Sequence, residues 1–484
     1  MPKYRCKICG KIIEIEDINK IEKCPICMAD KQFLELVEDE ANLVVEEITG
    51  PIPIAKENPG IERIEEKCIQ CGQCSKVCQN KVGIKYNPKK SKSPVCLSCG
   101  QCILNCPVGA IVPKYCYKKV MDYIKDTEKV VIAFTSPAVR VALGEEFLSE
   151  EKNVEGKMVS ALKELGFDYV LDTTFGADLT IMEEATELVE RIQKRENIPQ
   201  FTSCCPAWVR YLEIYHPNLR KYLSTCKSPI GMQGTMIKTY YSDMMGIPKE
   251  NIIAVAITPC TAKKYEIELP NSNDTDYVIT TSELAMMIRE NKINFNNLKD
   301  QNFDSIMQRG SGAGVIFGAS GGVMEAAVRT AYYFITGKNP EKEILDFHPV
   351  RGYNNMKEGT VTINGVSLRL LTVHGMKNIE PILKEIENGT IRYDFIEVMN
   401  CPGGCVGGGG QPLSVVSKQQ EIAEKRINAL YQEDKNLKVR LCHKNPDIID
   451  IYKSYLDHPG SNKSRELLHT KYIDRSSILG EESL

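Results

Sequence analysis

Residues 398–412 read VMNCPGGCVGGGGQP, two cysteines four apart with six glycines between and after them. Neither helix nor strand suits this composition, because glycine costs up to about 1 kcal/mol per residue inside an element. A flexible linker would explain glycines alone. It does not explain two flanking thiols and a following Gln-Pro. So many missing side chains suit a backbone that must approach something closely.

The rest of the chain narrows what that something is. Its 484 residues suggest roughly three domains at about 150 residues each. With 61 basic and 64 acidic residues, the net charge of −3 gives no electrostatic reason to expect nucleic acid or a membrane surface. The start, MPKYRCKICG, has no apolar signal core, and no apolar run approaches the length of a membrane span. A soluble, cytoplasmic chain is expected. Cysteine is the outlier at 20 residues. In a reducing compartment, tight cysteine groups read as metal ligands rather than disulfides. Only Cys116, Cys226 and Cys442 stand isolated enough to be ordinary buried thiols.

The cysteine groups divide the chain. Residues 1–36 carry two CxxC knuckles, and 37–60 are acidic, then Pro/Gly-rich and cysteine-free, as a linker would be. Residues 61–118 hold an internal repeat. Cys68, Cys71, Cys74 and Cys78 recur 28 positions later as Cys96, Cys99, Cys102 and Cys106, both as C-x2-C-x2-C-x3-C. At this spacing three thiolates wrap one corner of a [4Fe–4S] cube and the fourth reaches the other cube. One cluster then takes Cys68, Cys71, Cys74 and Cys106, and the other Cys96, Cys99, Cys102 and Cys78. This segment resembles bacterial two-cluster ferredoxins; a pair of zinc knuckles would leave the three-residue third gap unexplained.

At the N-terminus, Cys6, Cys9, Cys24 and Cys27 can build a tetrahedral S4 site for zinc or one iron. YRCKICG and KCPIC resemble the rubredoxin-like domains of rubrerythrins, which implies a redox-active iron. Met28 departs from the glycine usual there, and a structural zinc ribbon is the alternative.

From 119 to 484 strand-like runs alternate with helical patterns, so an α/β (α+β) fold is expected. Examples are KVVIAF (129–134), NIIAVAI (251–257), YDFIEVM (393–399) and the helical LTIMEEATELVERIQKREN (179–197). Three segments here, FTSCCPAWVR (201–210), ITPCTAKKYE (257–266) and the opening stretch, together resemble the signature segments of [FeFe]-hydrogenases. The likeness continues through SPAVRVALGEEF, FGADLTIMEEATEL, STCKSP and FGASGGVMEAAVRTAYY, and into a tail ending ELLHTKY.

The resemblance implies a two-lobed catalytic domain with a small-subunit-like C-terminal tail. It also implies an H-cluster, a [4Fe–4S] cube joined to a diiron unit carrying CO, cyanide and azadithiolate. Carried over by motif, Cys205, Cys260, Cys401 and Cys405 ligate the cube, and Cys405 is shared with the diiron unit. Cys204 becomes a proton-relay thiol, with Glu184, Glu187, Ser224 and Arg191 behind it. On the residues alone, Glu184, Glu187 and Arg191 at i, i+3 and i+7 read as a solvated helix face. Lys263 is implied to bond a cyanide and Glu266 to hold that lysine. Ser228, Pro229, Met399, Gly403 and Gly404 border the cofactor. Thr258, Ile230, Asn400 and Ala138 depart from the pattern and mark a divergent subgroup.

The implied activity is 2H⁺ + 2e⁻ ⇌ H₂ in an oxygen-sensitive enzyme. Its partners would be H₂, protons, an electron carrier such as ferredoxin and H-cluster maturation proteins. Two other readings of the same motifs are a hydrogen-sensing regulatory protein and an electron-transfer or assembly protein without the diiron centre.

Overall fold

The most continuous apolar run of the chain becomes the strand Ile252–Thr258, buried along its whole length. Burial on both faces is what a parallel strand covered by helices requires, and it explains the absence of alternation. In the computed structural model this strand is central to a four-stranded parallel sheet, in the order Tyr277–Thr280, Ile252–Thr258, Val130–Thr135, Tyr169–Asp172. A second sheet runs Met356–Ile363, Val366–His374, Phe395–Met399, Gln200–Phe201. Its first pair is antiparallel and the others parallel. The result is a mixed α/β fold.

The structure describes residues 3–6, 12–15, 18–23, 31, 34–37, 50–85, 94–272, 274–305, 307 and 310–480. They fall into two units, Met1–Glu47 and Ile48–Leu484. In the first, strands Ile12–Glu14 and Leu34–Val37 flank Lys3–Cys6 antiparallel. The second holds both large sheets and the two cysteine repeats, where Ile61–Arg63 pairs antiparallel with Ile111–Pro113.

The helix expected over 179–197 spans Thr174–Lys194. It starts a turn and more earlier because Asp172 accepts from the Thr174 N–H at 3.0 Å, a cap supplied by the strand before it. It ends at Lys194, where Arg195 turns left-handed at φ 54°. Ile181, Met182, Ala185 and Leu188 are buried, but so are Glu183, Glu184, Glu187 and Arg191. The charged face is therefore interior. Among the described residues no helix is long and apolar enough to cross a membrane.

Candidate active site and cluster ligands

In parallel α/β sheets, functional groups collect beyond the carboxyl ends of the strands. Cys260 lies two residues past Ile252–Thr258, Cys401 two past Phe395–Met399, and Cys204 and Cys205 shortly after Gln200–Phe201. Cys405 follows on the glycine loop. The fold brings these thiols within electrostatic reach of one another: Cys401 and Cys405 each feel Cys260 and Cys205. Burial, with Cys205 adding to it, pushes the Cys260 thiol up to about 11. Four clustered thiols, one buried and three half-buried, give up their protons together only to a cationic metal, which is the donor chemistry of an iron–sulfur cube.

Much of the glycine run faces other backbone. Gly404 sits at φ 95°, and a Cβ there would lie 2.4 Å from the Ser320 nitrogen. At Gly409 a Cβ would meet Gly100 Cα at 2.4 Å and the Cys99 carbonyl at 2.5 Å. The stretch is thus a seam on which other segments, one of them a cysteine loop of the repeat region, are laid without side chains between them. Gly403, at φ 76°, faces the Tyr353 ring and donates its N–H to His374 Nδ1 at 3.0 Å.

Beside the four thiols is a cavity of about 60 Å³, walled by Pro229, Ile230, Phe317 and Met399, with Cys204, Cys405 and Lys263 as its reactive groups. Lys263 donates to the Cys204 carbonyl at 3.0 Å and lies 2.5 Å from Glu266 Oε2. Burial opposes its charge, but Glu266 more than offsets this and its pKa is raised, so the ammonium is kept. A fixed cation in an apolar chamber beside buried thiols fits an anionic, sulfur-bridged metal group. Thr258 and Ala138 also line the chamber, and Thr258 Oγ1 closes the turn by accepting from the Cys260 N–H at 3.3 Å. Asn400 stays outside it, with Nδ2 4.0 Å from Cys401 Sγ. Ser228 is also outside: its Oγ accepts from Gly231 N–H at 3.4 Å, capping the helix Pro229–Met236, and it lines a different cavity.

From Cys204 a chain of polar groups runs inward along the long helix. Burial pushes the Cys204 thiol well above its ordinary value, and Glu184 raises it further. Glu184 is 1% exposed, and neither carboxyl oxygen has a hydrogen-bond partner among the described residues. Burial pushes its pKa up to about 8; Ser224 lowers it, while Glu187 raises it. The Ser224 hydroxyl itself donates to Glu187 Oε2 at 3.2 Å, and Arg191 bonds Glu187 Oε1 at 2.6 Å. Arg191 also donates to the Leu223 carbonyl at 2.7 Å.

In the repeat region Cys68, Cys71, Cys74 and Cys106 surround one small cavity. Cys78 instead sits in the field of Cys96, Cys99 and Cys102. Of the N-terminal four, Cys6 ends the strand Lys3–Cys6, while Cys9, Cys24 and Cys27 lie outside the described residues.

Three further residues join the polar chain that no motif singled out for a role. Thr225 donates both its N–H, at 2.9 Å, and its hydroxyl, at 3.2 Å, to Glu187 Oε2. His469 Nδ1 lies 2.7 Å from Thr225 Oγ1, and its Nε2 lies 3.0 Å from Glu183 Oε2. Cys226 Sγ points at Glu187 Oε2 from 3.8 Å. The only hint in the sequence was a histidine in the tail ELLHTKY, 244 residues from its threonine partner.

Fold and site together define an iron–sulfur oxidoreductase whose thiol quartet opens onto an apolar chamber with one lysine in its wall. Residues 129–409 match the iron only hydrogenase large subunit, C-terminal domain, 420–475 the iron hydrogenase small subunit, and 61–82 a 4Fe-4S binding domain. The chain is 41% identical over 445 residues to the NADP-reducing hydrogenase subunit HndD of Solidesulfovibrio fructosivorans, covering 86% of this chain and 75% of that one. With iron hydrogenase 1 of Clostridium pasteurianum it shares 39% over 496 residues, 96% of this chain and 86% of the other. The structure of apo [FeFe]-hydrogenase HydA1 from Chlamydomonas reinhardtii, in a cysteine-to-histidine variant, superposes with a TM-score of 0.64 at 36% identity, over 74% of this chain and 98% of that one. The chain belongs to the iron-only, or [FeFe]-, hydrogenase family and is an oxidoreductase acting on H₂.

Proposed function

We propose that the chain interconverts protons, electrons and H₂ at an H-cluster held by Cys205, Cys260, Cys401 and Cys405. When bound, the diiron group supplies the reversible splitting of H₂. The protein's residues do the rest. Lys263, held charged by Glu266, anchors the anionic group in the chamber, and Met399, Pro229 and Ile230 exclude water from it. Cys204 exchanges a proton with the reacting centre and with Glu184. From there the path runs through Ser224 to Glu187 and Arg191.

Cys78, Cys96, Cys99 and Cys102 would hold one [4Fe–4S] cluster and Cys68, Cys71, Cys74 and Cys106 a second, which would supply electron transfer between the catalytic cube and an external carrier such as ferredoxin. Cys6, Cys9, Cys24 and Cys27 would hold one iron, or a structural zinc. The two-cluster region 61–118, the catalytic region 119–484 and the N-terminal four-cysteine region are the working parts, and maturation proteins install the diiron group.

One observation carries this reading. Glu184 is buried within electrostatic reach of both Cys204 and Glu187, and burial pushes its pKa up to about 8. A carboxyl tuned to about neutral pH takes up and releases protons at little cost, which a relay working in both directions needs.

The test is the infrared spectrum of the anaerobically matured protein in the CO/CN stretching region, under argon and then H₂, followed by turnover. Bands that shift with H₂, together with turnover, are expected. Shifting bands with negligible turnover would make the protein a hydrogen sensor. No bands after verified maturation would leave an iron–sulfur protein without the diiron centre.

A further inference from the structure

Beyond the relay, Glu187, Cys226 and His469 offer a carboxylate oxygen, a sulfur and a ring nitrogen that all lie within 4.8 Å of one another. They come from the long helix, the loop after Ser224 and the C-terminal tail. The loop and the tail are locked in register. Cys226 and His469 form an antiparallel bridge, flanked by Thr470 N–H donating to the Thr225 carbonyl at 2.7 Å and Lys227 N–H to the Leu468 carbonyl at 2.8 Å. The three ligand atoms are therefore held by packed backbone from separate parts of the fold.

We propose that Glu187, Cys226 and His469 form a binding site for a borderline divalent cation, Zn²⁺ or Cd²⁺, set across the outer reach of the proton path. One sulfur, one nitrogen and one carboxylate oxygen are the donor set such ions take, with a fourth position left for water. Mg²⁺ and Ca²⁺ prefer oxygen shells and gain little from a thiol. The charges also match. A thiolate and a carboxylate cancel the two charges of the ion, and the imidazole binds neutral.

Cys226 faces Glu183 and Glu184 as well as Glu187, so the field there favours a cation. The ion would occupy the position that the Cys226 proton now holds in its contact with Glu187 Oε2, and binding releases that proton to solvent with no change of oxidation state. Tetrahedral zinc needs its ligand atoms roughly 3.3–3.7 Å apart, so side-chain adjustments of about 1 Å close the site. A cavity of about 170 Å³ lined by Cys226, Ser203, Thr470 and Tyr472 adjoins the site on its cysteine side.

The experiment uses the anaerobic protein with its iron–sulfur clusters in place and counts zinc against a chelating dye. Cys226→Ser keeps a hydroxyl facing Glu187, and His469→Gln keeps a polar side chain; unchanged iron content and circular dichroism identify correctly folded variants. Wild type should bind one equivalent more tightly than either variant. Loss of a direct ligand should weaken that equivalent roughly 100-fold or more, above what loss of a supporting partner costs. Zinc-edge absorption on the difference should show one sulfur among lighter neighbours. Equal zinc uptake by wild type and both variants would overturn the site.

A second arm rests on the relay reading. Zinc should slow H₂ turnover in wild type, a chelator should restore it, and either variant should raise the half-inhibiting concentration by the same factor. Zinc bound by wild type and lost in the variants, with turnover unaffected, would leave the site standing and sink the relay through Glu187.

Discussion

Two neighbouring helices each bury glutamates, and they treat them in opposite ways. On Gly322–Thr336, Glu325 is fully buried and both its oxygens are bonded, Oε1 by Arg329 at 2.7 Å and Arg351 at 2.5 Å, Oε2 by Arg351 at 2.9 Å. Arg329 continues to Asp434, and Arg440 ties Asp434 to Asp346, so three guanidiniums face three carboxylates. On Thr174–Lys194, Glu184 is just as buried, yet neither of its oxygens has a partner among the described residues. The first cluster balances its charges and leaves no Glu325 oxygen unbonded, and it clamps the helix Gln419–Asn436, in the C-terminal part of the chain, against Gly322–Thr336. The second keeps a carboxyl under desolvation strain. Burial alone does not distinguish a structural acid from a working one; the count of partners does.

The largest effect expected from breaking this contrast lies on the working side. Cys204→Ala should cut H₂ turnover by about 10²–10⁴-fold while the CO/CN infrared bands and the melting temperature hold. A variant turning over normally would remove the thiol from the path. On the structural side, Arg329→Met strips Asp434 and Glu325 of a shared partner. It should cost about 3–5 kcal/mol in a denaturant titration, because the charges left behind stay buried.

Opposite pH slopes sharpen the comparison. Glu184 has a raised folded-state pKa, about 8, so the folded state gains relative to the unfolded chain below about pH 4.5 and loses that gain as pH rises to about 8. Glu184→Gln should therefore make the protein more stable than wild type at pH 8, by between about 1 and 4 kcal/mol, and equal to it near pH 4. Asp346 is held down to about 2, with burial opposing and Arg440 and Arg351 prevailing. Its contribution is complete above about pH 4 and disappears as pH falls through 2, so Arg351→Met should make the acid limb shallower, on top of a loss at every pH from leaving buried Glu325 with Arg329 alone. A single stability profile from pH 2 to 9 reads both. The smallest effect is a control: Lys425 and Glu421 pair at 2.7 Å on the exposed side of the C-terminal helix, and Lys425→Met should leave the denaturation midpoint where it was.

What could be read from the sequence follows the range of the interactions. The cysteine groups stood out because cubane ligation would impose short, fixed spacings, as at Cys68–Cys78 and Cys401–Cys405. The core strands were legible because burial on both faces demands an unbroken apolar run, as in NIIAVAI. The state of Glu184 was not, since an acidic helix face has the same pattern whether water or protein covers it. Only the packing of Pro229–Met236 and Gly322–Thr336 against that helix decides. Ser228 matched a motif by position, yet its hydroxyl caps a helix, because cap and ligand use the same residue type before a proline. The contact of Thr225 with His469 spans 244 residues and no local pattern encodes it. Likewise the glycine run announces close approach but not its partner, which at Gly409 is the backbone of Cys99 and Gly100.

That last contact bears on electrical conduction. Were cubes seated on Cys99 and Cys401, the two loops would meet backbone to backbone at Gly100 and Gly409, with the Asn400 amide reaching toward both thiols. Tunnelling rates fall steeply with each added ångström. A single methyl group placed at Gly409, by pushing back the loop that carries Cys99, would widen that gap and lower any current across it while leaving the proton path and the chamber as they are.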